Sequence, residues 1–435
     1  MSHCLSIFSL AKTKGLMKNT YKKYIASLII LSVIVKLIFL FATGAYKNPQ
    51  IFEYEGAAVN MLNGHGFYYD HFNTRYYGGI APGFSVLCYL VYKAFGHHRL
   101  LIILIQIIVT SLLVIPVSLI ARRIFDERSA LLAALLSALY PPLIIYSTFK
   151  LHTMTVYSFL FALFISAFFL LKESATLKRC VLAGAVAGIT ALFRVTTAAF
   201  FVLGLAWFYI SSGEAAMRRL RALAIVTAVF FIILIPWGIR SYLVFGKPLL
   251  LQTNKWESLW FGNMPGSSGS LYSEGGVALL DRASGELPPE FFRMNEIGQG
   301  DYLKKLTIGY FKEDPRAFIL RVMKKMCYFW YFSPNQGSLY PKSWMQLYKI
   351  YYLAVIFPAL FSVAHGLLYL DNPRRANIAL ILLLFFALTA VHSLYFVEAR
   401  HRWSVEALIL IFAANGIITI RDALRKFTRP AGEAL

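Results

Sequence analysis

Acid–base chemistry in this 435-residue chain would have to come from a few short polar stretches set between long apolar ones. The first, IFEYEGAAVNMLNGHGFYYDHFNTRYYGGIAPGF (51–84), has Glu53, Glu55 and Asp70 as its only carboxylates. A carboxylate there can take a proton from a hydroxyl or an amine as a general base. On a helix Glu53 lines up with Gly56 and Ala57, and Glu55 with Ala58 and Val59, so only one of the two faces a cleft fully. The competing reading is a solvated loop acid, or one near a helix start where the dipole favours it. The second stretch, YPPLIIYSTFKLHTMTVYSF, carries Lys150 and His152 where a plain turn would do. The lysine can snorkel to head groups and the histidine can act as a hydrogen-bonding partner. The third, HSLYFVEARHRWSVEALILI, packs His392, Glu398, Arg400, His401, Arg402 and Glu406 together, and their charges can pair internally. Glu398 and His401 share a helix face, but two ligands alone make a weak metal signal.

The elements that must position these residues follow from composition. The chain is 58% hydrophobic and only 15% charged, whereas an ordinary soluble domain carries about 25% charged residues. Its 43 basic and 21 acidic residues give a net charge of +22, a balance that elsewhere suggests nucleic acid. Here the charges are scattered between apolar stretches of membrane-spanning length, so no nucleic-acid partner is expected and membrane lipids are. Cys4, Cys88, Cys180 and Cys327 lie far apart with no CxxC spacing, which supports neither a zinc site nor a disulfide framework. The fold class expected is an all-α polytopic membrane protein.

Spans of roughly 20 apolar residues fall at 24–45, 100–121, 130–149, 153–171, 222–237, 348–370, 376–396 and 403–420. The segment 181–210 is too long for one helix and carries Arg194 near its middle, so it divides into a hairpin with Arg194 at the turn. That makes about ten spans. Lysines 12 to 23, and the basic clusters at 122–128, 172–179, 218–221, 374–375 and 421–429, then fall on one side, the cytoplasmic one by the positive-inside rule. Both termini, 1–23 and 421–435, are cytoplasmic in this reading, and the membrane bundle covers 24–240 and 348–420. The segments 46–99 and 241–347 lie outside, the second as a small cap. Within the first, 82–95 is apolar but too short to cross and reads as an interfacial helix. Lys36 interrupts the first span and should face the bundle interior.

Against the inside bias, Arg194, Arg240, Arg400 and Arg402 join Lys150 at outer span ends. Basic residues there need an outer partner: either a lipid-linked phosphate or anionic head groups.

At this point the residues resemble a known family. EYEGAAVNMLNGHGF followed by APGF and KAFG is similar to the first outer loop of the GT-C membrane glycosyltransferases, in the branch of bacterial protein mannosyltransferases and aminoarabinose transferases. ARRIFDERSALLAALLSALYPPLIIYST, AGAVAGITALFR, IPWGIRSYLVFGKP, FGNMPGSSG, MNEIGQGDYLKKL and EARHRWSVEALILI continue the resemblance in order, from about residue 46 to 420. It implies an outer active site, a polyprenyl-phosphate-linked sugar as donor, a lipid, glycan or protein acceptor, and a first-loop acid as catalytic base. Two departures matter. Gln50 and Ile51 occupy the stretch before Tyr54 where the family has an aspartate, so Glu53 is the nearest acid and Glu55 the runner-up. His152 stands before Thr153 where the family has a carboxylate, which leaves a divalent metal an open question. Tyr54, Lys150, His152, Arg194, Arg240, Arg400 and Arg402 are the substrate-binding residues expected.

Sugar transfer from a phosphate carrier needs one group to deprotonate the acceptor and cations, or a metal, to neutralise the leaving phosphate. A single inverting displacement needs no carboxylate nucleophile. The alternatives are a transporter of lipid-linked sugars, for which Lys36 is the one midplane feature, and a family member that binds lipid without catalysis.

Overall fold

The structure is a computed structural model that describes residues 2–247, 249, 252–273, 277–332 and 342–428. It is a helical bundle. Among the described residues, eight helical segments are long and apolar enough to cross a membrane: Asn19–Thr43, Arg99–Ile124, Glu127–Phe149, Met154–Glu173, Ala216–Phe245, Lys342–Tyr369, Asn372–Leu394 and Glu406–Arg425. Two shorter ones, Leu177–Phe193 and Thr197–Ser211, form the hairpin expected around Arg194. The observed bounds run past the apolar cores at several points. The helix entering the 241–347 segment continues to Phe245, and the helix leaving it starts at Lys342.

In chain order, α1 is Ser2–Thr43, α2 Glu53–Leu62 and α3 Pro82–Phe95, with a two-stranded hairpin, β1 Tyr69–His71 and β2 Thr74–Tyr76, between the last two. Pro82 opens α3 and Gly96 ends it, so the piece too short to cross is one complete helix. The next two spans are each broken. In the first, α4 (Arg99–Leu112) gives way to α5 (Val114–Ile124), because Pro116 cannot donate to the carbonyl four residues back. In the second, α6 (Glu127–Ala138) ends before Pro141 and Pro142, which start α7 (Pro141–Phe149). The carbonyl of Ala138 accepts a hydrogen bond from the Ser32 hydroxyl at 2.9 Å. Lys36, only 1% exposed, donates to Ser32 at 2.8 Å and to Ser111 at 3.1 Å. The intramembrane lysine thus faces the interior and bonds to hydroxyls beside the two breaks.

The remaining membrane helices are α8 (Met154–Glu173), α9 (Leu177–Phe193), α10 (Thr197–Ser211) and α11 (Ala216–Phe245). Helices α9 and α11 cross closely because Gly184 and Gly188 leave room. A Cβ at Gly184 would lie 2.5 Å from the Val226 carbonyl oxygen, and one at Gly188 would lie 2.7 Å from the Ile233 Cβ. This is the small-xxx-small packing that membrane helices use. Short helices α12 (Lys255–Phe261) and α13 (Leu279–Glu286) lead to α14 (Glu296–Glu313) and α15 (Pro315–Trp330). Helices α12, α13 and α14 share an apolar core with the β1–β2 hairpin, built on Phe72, Tyr76, Trp260, Phe261 and Phe291. This small cap of short helices is thus packed onto the first loop. Helices α16 (Lys342–Tyr369), α17 (Asn372–Leu394), α18 (Ala399–Trp403) and α19 (Glu406–Thr428) complete the bundle.

Replacing Gly188 with leucine should overpack the α9–α11 crossing and destabilise the bundle by about 1–3 kcal/mol. The measurement is the thermal midpoint of the detergent-purified protein by fluorescence-detected size exclusion. An unchanged midpoint would mean that the two helices do not pack this tightly.

Candidate functional site

The first loop and the second outer turn are joined by backbone. Gln50 and Lys150 form a parallel bridge, in which the Gln50 amide donates to Phe149 at 2.7 Å and the Leu151 amide donates to the Gln50 carbonyl at 3.0 Å. Gln106 on α4 secures the turn from below: its side-chain amide donates to the Lys150 carbonyl, and its oxygen accepts from the His152 amide and the Thr155 hydroxyl. A glutamine in the apolar run RLLIILIQIIVTSL is itself a sequence signal, since an amide at that depth needs partners. The bridge sets the start of α2 against His152, whose ring meets Phe52 at 4.9 Å and Tyr54 at 5.6 Å, both edge-on.

The two glutamates of α2 have separate environments. Glu55 is 3% exposed and accepts from Tyr92 at 3.0 Å, His97 at 3.0 Å and Arg99 at 2.7 Å. Burial alone would raise its pKa, but Arg99, His97 and Tyr92 outweigh burial and hold it below the ordinary 4.5. Glu55 therefore anchors α2 to α3 and α4 and is a poor proton acceptor. Glu53, in the first turn of α2, is solvent-exposed and makes no hydrogen bond or ion pair among the described residues. Its charge is felt by Tyr54, Tyr69 and His71. Asp70 is exposed on the hairpin, opposite Arg75.

Behind Tyr54 lies a basic nest. Its cations are Lys150, Arg194 and Arg400, and His152, His392 and His401 line it. The Tyr54 hydroxyl is pushed up to about 12, first by burial and then by Glu53, against the pull of Arg400 and Arg194. Arg194, at the turn between α9 and α10, donates to His392 at 3.3 Å and Ser404 at 3.4 Å and sits 5.4 Å from the Tyr157 ring centre. It forms no ion pair with any described carboxylate, and burial holds its pKa below the usual arginine value. Arg400 pairs with Glu398 at 2.5 Å. The Lys150 ammonium lies 5.0 Å from the Tyr146 ring centre and is pushed down to about 8, mostly by burial and then by Arg400, with Glu398 opposing.

His152 and His401 are held well below 6.5 by burial first and then by the neighbouring cations, so both are neutral. His152 Nδ1 accepts the Met154 amide at 3.0 Å, two residues on, as an aspartate would at a helix start. Its Nε2 therefore carries the proton.

Two of the expected arginines do not join this group. Arg240 donates to the carbonyls of Tyr77 at 2.5 Å and Phe67 at 2.7 Å, and stacks on Trp237 and Phe67. It clamps the hairpin, with Glu296 accepting the Tyr77 amide from the opposite side at 2.7 Å. Arg402 is fully buried. It donates to Glu406 at 2.6 Å, to the carbonyls of Phe329 and Tyr331, and to the Tyr348 hydroxyl, so its guanidinium is satisfied within the protein. Sequence position put both at outer span ends; only packing shows that carbonyls occupy them. A His71–Glu257 pair at 2.9 Å, near Glu53, was not legible either, because its members lie 186 residues apart.

The donor set does not fit a divalent metal. Among the described residues no three His, Cys, Asp or Glu side chains converge. Glu55 is bonded by three donors, and His152 gives its Nδ1 lone pair to an amide.

A helical membrane bundle with a first loop packed against short helices of the 241–347 segment is the all-α polytopic fold class expected. Solved structures of membrane enzymes share that helical fold. The family model described as dolichyl-phosphate-mannose-protein mannosyltransferase matches residues 80–239, less than half of the chain. The oligosaccharyltransferase AglB from Archaeoglobus fulgidus, in complex with an inhibitory peptide and a dolichol-phosphate, is similar at 15% identity with a TM-score of 0.54, over 93% of this chain and 51% of that one. The same enzyme in complex with Zn and sulfate gives 0.51 at 15% identity, over 92% and 50%. ArnT from Cupriavidus metallidurans bound to undecaprenyl phosphate gives 0.42 at 14% identity, over 93% and 81%. The chain thus spans about half the length of the archaeal enzyme. No curated protein matches the sequence.

The lowered pKa of Glu55 makes a stability prediction. A depressed folded-state value contributes stability that is present above the ordinary 4.5 and is lost as pH falls through the folded value. The thermal midpoint of the wild type should therefore drop as pH falls below about 4.5, and Glu55→Gln should flatten that drop while lowering the midpoint at neutral pH. Identical pH profiles would mean that Arg99 and Glu55 do not interact.

Proposed function

We propose that the chain is an integral membrane glycosyltransferase that moves a sugar from a polyprenyl-phosphate donor to a lipid, glycan or protein acceptor by a single inverting displacement. The observation that carries this reading is Arg194, a cation turned into a lined nest without a described carboxylate partner. A buried charge without an opposite charge is costly, so a nest of this kind suits an anionic ligand. Arg194, with Arg400 and Lys150 beside it, takes the donor phosphate, and His152 Nε2–H adds a neutral donor.

The lipid tail also has a place to lie. An apolar groove of about 550 Å³, lined by Ile38, Phe39, Pro142, Ile145, Tyr348 and Trp403 among others, runs between α1, α7 and α16. Trp403 at its rim lies 5.7 Å from the Tyr146 ring, and Tyr146 lies 5.4 Å from His152. A carrier in the groove therefore brings its phosphate toward the nest.

Glu53 is exposed in the first turn of α2, beside Tyr54. It takes the proton of the acceptor hydroxyl or amine as that atom bonds to the anomeric carbon. The bond from that carbon to the phosphate oxygen breaks, and the electron pair leaves on a phosphate held by Arg194 and Arg400. A transporter reading would lean on Lys36 and the two broken spans. Lys36 is already bonded to Ser32 and Ser111, which favours a structural role. The cap face, carrying the first loop, is extracytoplasmic in this proposal and both termini are cytoplasmic.

Glutamine is nearly the size of glutamate but cannot accept the proton. Glu53→Gln should keep wild-type affinity for undecaprenyl phosphate and lower turnover of an undecaprenyl-phosphate-linked sugar by about 10²–10⁴-fold. Glu55→Gln should change turnover by no more than a few-fold. Wild-type turnover by Glu53→Gln would pass the base role to Asp70 or to the substrate. For orientation, single cysteines replacing Asn73 and Lys178 in a cysteine-free background should differ in intact cells. A membrane-impermeant thiol reagent labels the first and misses the second, and the reverse pattern would invert the topology.

A further inference from the structure

The last outer turn contains a carboxylate oxygen that the protein leaves unanswered. Glu398 is 9% exposed; one of its oxygens, Oε2, takes the Arg400 Nε–H at 2.5 Å. The other, Oε1, is buried and has no hydrogen-bond partner among the described residues. The local helix start is a capping box in which the Glu398 side chain faces the His401 amide and the His401 ring accepts the Glu398 amide at 3.3 Å, and it still leaves Oε1 without a hydrogen bond. A buried acceptor left without a donor costs free energy and calls for an explanation of its own.

The surroundings narrow that explanation. Glu398 adjoins the cations of the nest: it pairs with Arg400 and lies within electrostatic reach of Lys150. On the other side it is within reach of Tyr272 in the cap, whose loop is fastened to this turn by the Val397 amide donating to the Gly269 carbonyl at 2.9 Å. An ionised carboxylate only accepts hydrogen bonds. A phosphate oxygen has no proton to give and would be repelled, so whatever fills this position must carry a donor. In a phosphate-linked sugar the ring is the part attached directly to the phosphate, and hydroxyls are its donors.

We infer that Glu398 is a specificity-determining residue: Oε1 receives a hydroxyl of the donor sugar while Oε2 holds Arg400 against the phosphate. This rests on the glycosyl-transfer reading above and adds to it which residue reads the sugar. The division of labour is that Arg194 and Arg400 bind any lipid phosphate, whereas Glu398 distinguishes a sugar that presents a hydroxyl at one ring position from one that does not. Recognition of this kind discriminates strongly, because a missing hydroxyl leaves the buried carboxylate unpaired again.

The test uses the full chain in lipid nanodiscs. The ligands are bare undecaprenyl phosphate, undecaprenyl phosphate linked to mannose, glucose or galactose, and the monodeoxy forms of whichever linked sugar binds most tightly. In the wild type the best linked sugar should bind more tightly than the bare carrier, and one deoxy position should cost roughly tenfold or more. In Glu398→Ala, which leaves no acceptor at that position, the same deoxy change should cost less than about threefold, as expected when the mutation and the missing hydroxyl remove one shared contact. Using the ratio of linked to bare carrier cancels any effect that Glu398 exerts on the phosphate through Arg400. The inference is overturned if no deoxy position costs the wild type more than about twofold, a result that needs no variant to fold. It is equally overturned if Glu398→Ala keeps the full deoxy penalty. If the linked sugars bind no better than the bare carrier, sugar reading by Glu398 fails while the lipid-phosphate site stands. Failure of the wild type to bind undecaprenyl phosphate at all would instead remove the reading underneath.

Discussion

The cation of Arg194 is the constraint around which the site is arranged. It sits at the turn of a membrane hairpin whose arms, 17 and 15 residues long, are both apolar. Its charge faces inward, toward His392, Ser404 and the Tyr157 ring, rather than outward to water. Desolvating a guanidinium with only neutral partners is unfavourable, and a chain that keeps such a charge gains from an anion that binds there. The neighbouring features are consistent with that need. Burial keeps His152 and His401 neutral, so they donate or accept without adding charge. Trp403, which lines the apolar groove, also meets Tyr146, whose ring lies edge-on to His152. Glu53, in the first turn of α2 beside Tyr54, is exposed.

Three elements bring these groups together from distant parts of the chain. The Gln50–Lys150 bridge fastens the first loop to the second turn. Arg240 and Glu296 grip the backbone of Tyr77 from opposite sides and hold the hairpin under the cap. Arg402 and Glu406, with Tyr140 and Tyr348 on the carboxylate, lock the last turn onto α15 and α16. Charged residues therefore have two roles here. Some are saturated by carbonyls and hydroxyls and act as fasteners, whereas Arg194 has only neutral hydrogen-bond partners among the described residues.

That distinction explains what could be read from the sequence. Apolar runs and basic clusters depend on local composition, and they located the spans, the Arg194 hairpin and the short helix at Pro82–Phe95. Residue type and span position also drew Arg240 and Arg402 into the expected phosphate site. Nothing local distinguishes an arginine bonded to carbonyls 163 or 73 residues away from one facing a ligand. The same holds for Glu53 and Glu55. Helical periodicity says that they face different ways, but Arg99, 44 residues on, decides which of them is neutralised.

The account stands on where a lipid phosphate binds, and a density map of the protein in nanodiscs with undecaprenyl phosphate would test this most directly. The phosphate should lie within hydrogen-bond distance of both Arg194 and Arg400, with the first isoprene units leading past Trp403 into the α1–α7–α16 groove. Phosphate density elsewhere, at Arg240 or on the basic face opposite the cap, with the Arg194 nest closed on itself, would contradict the account.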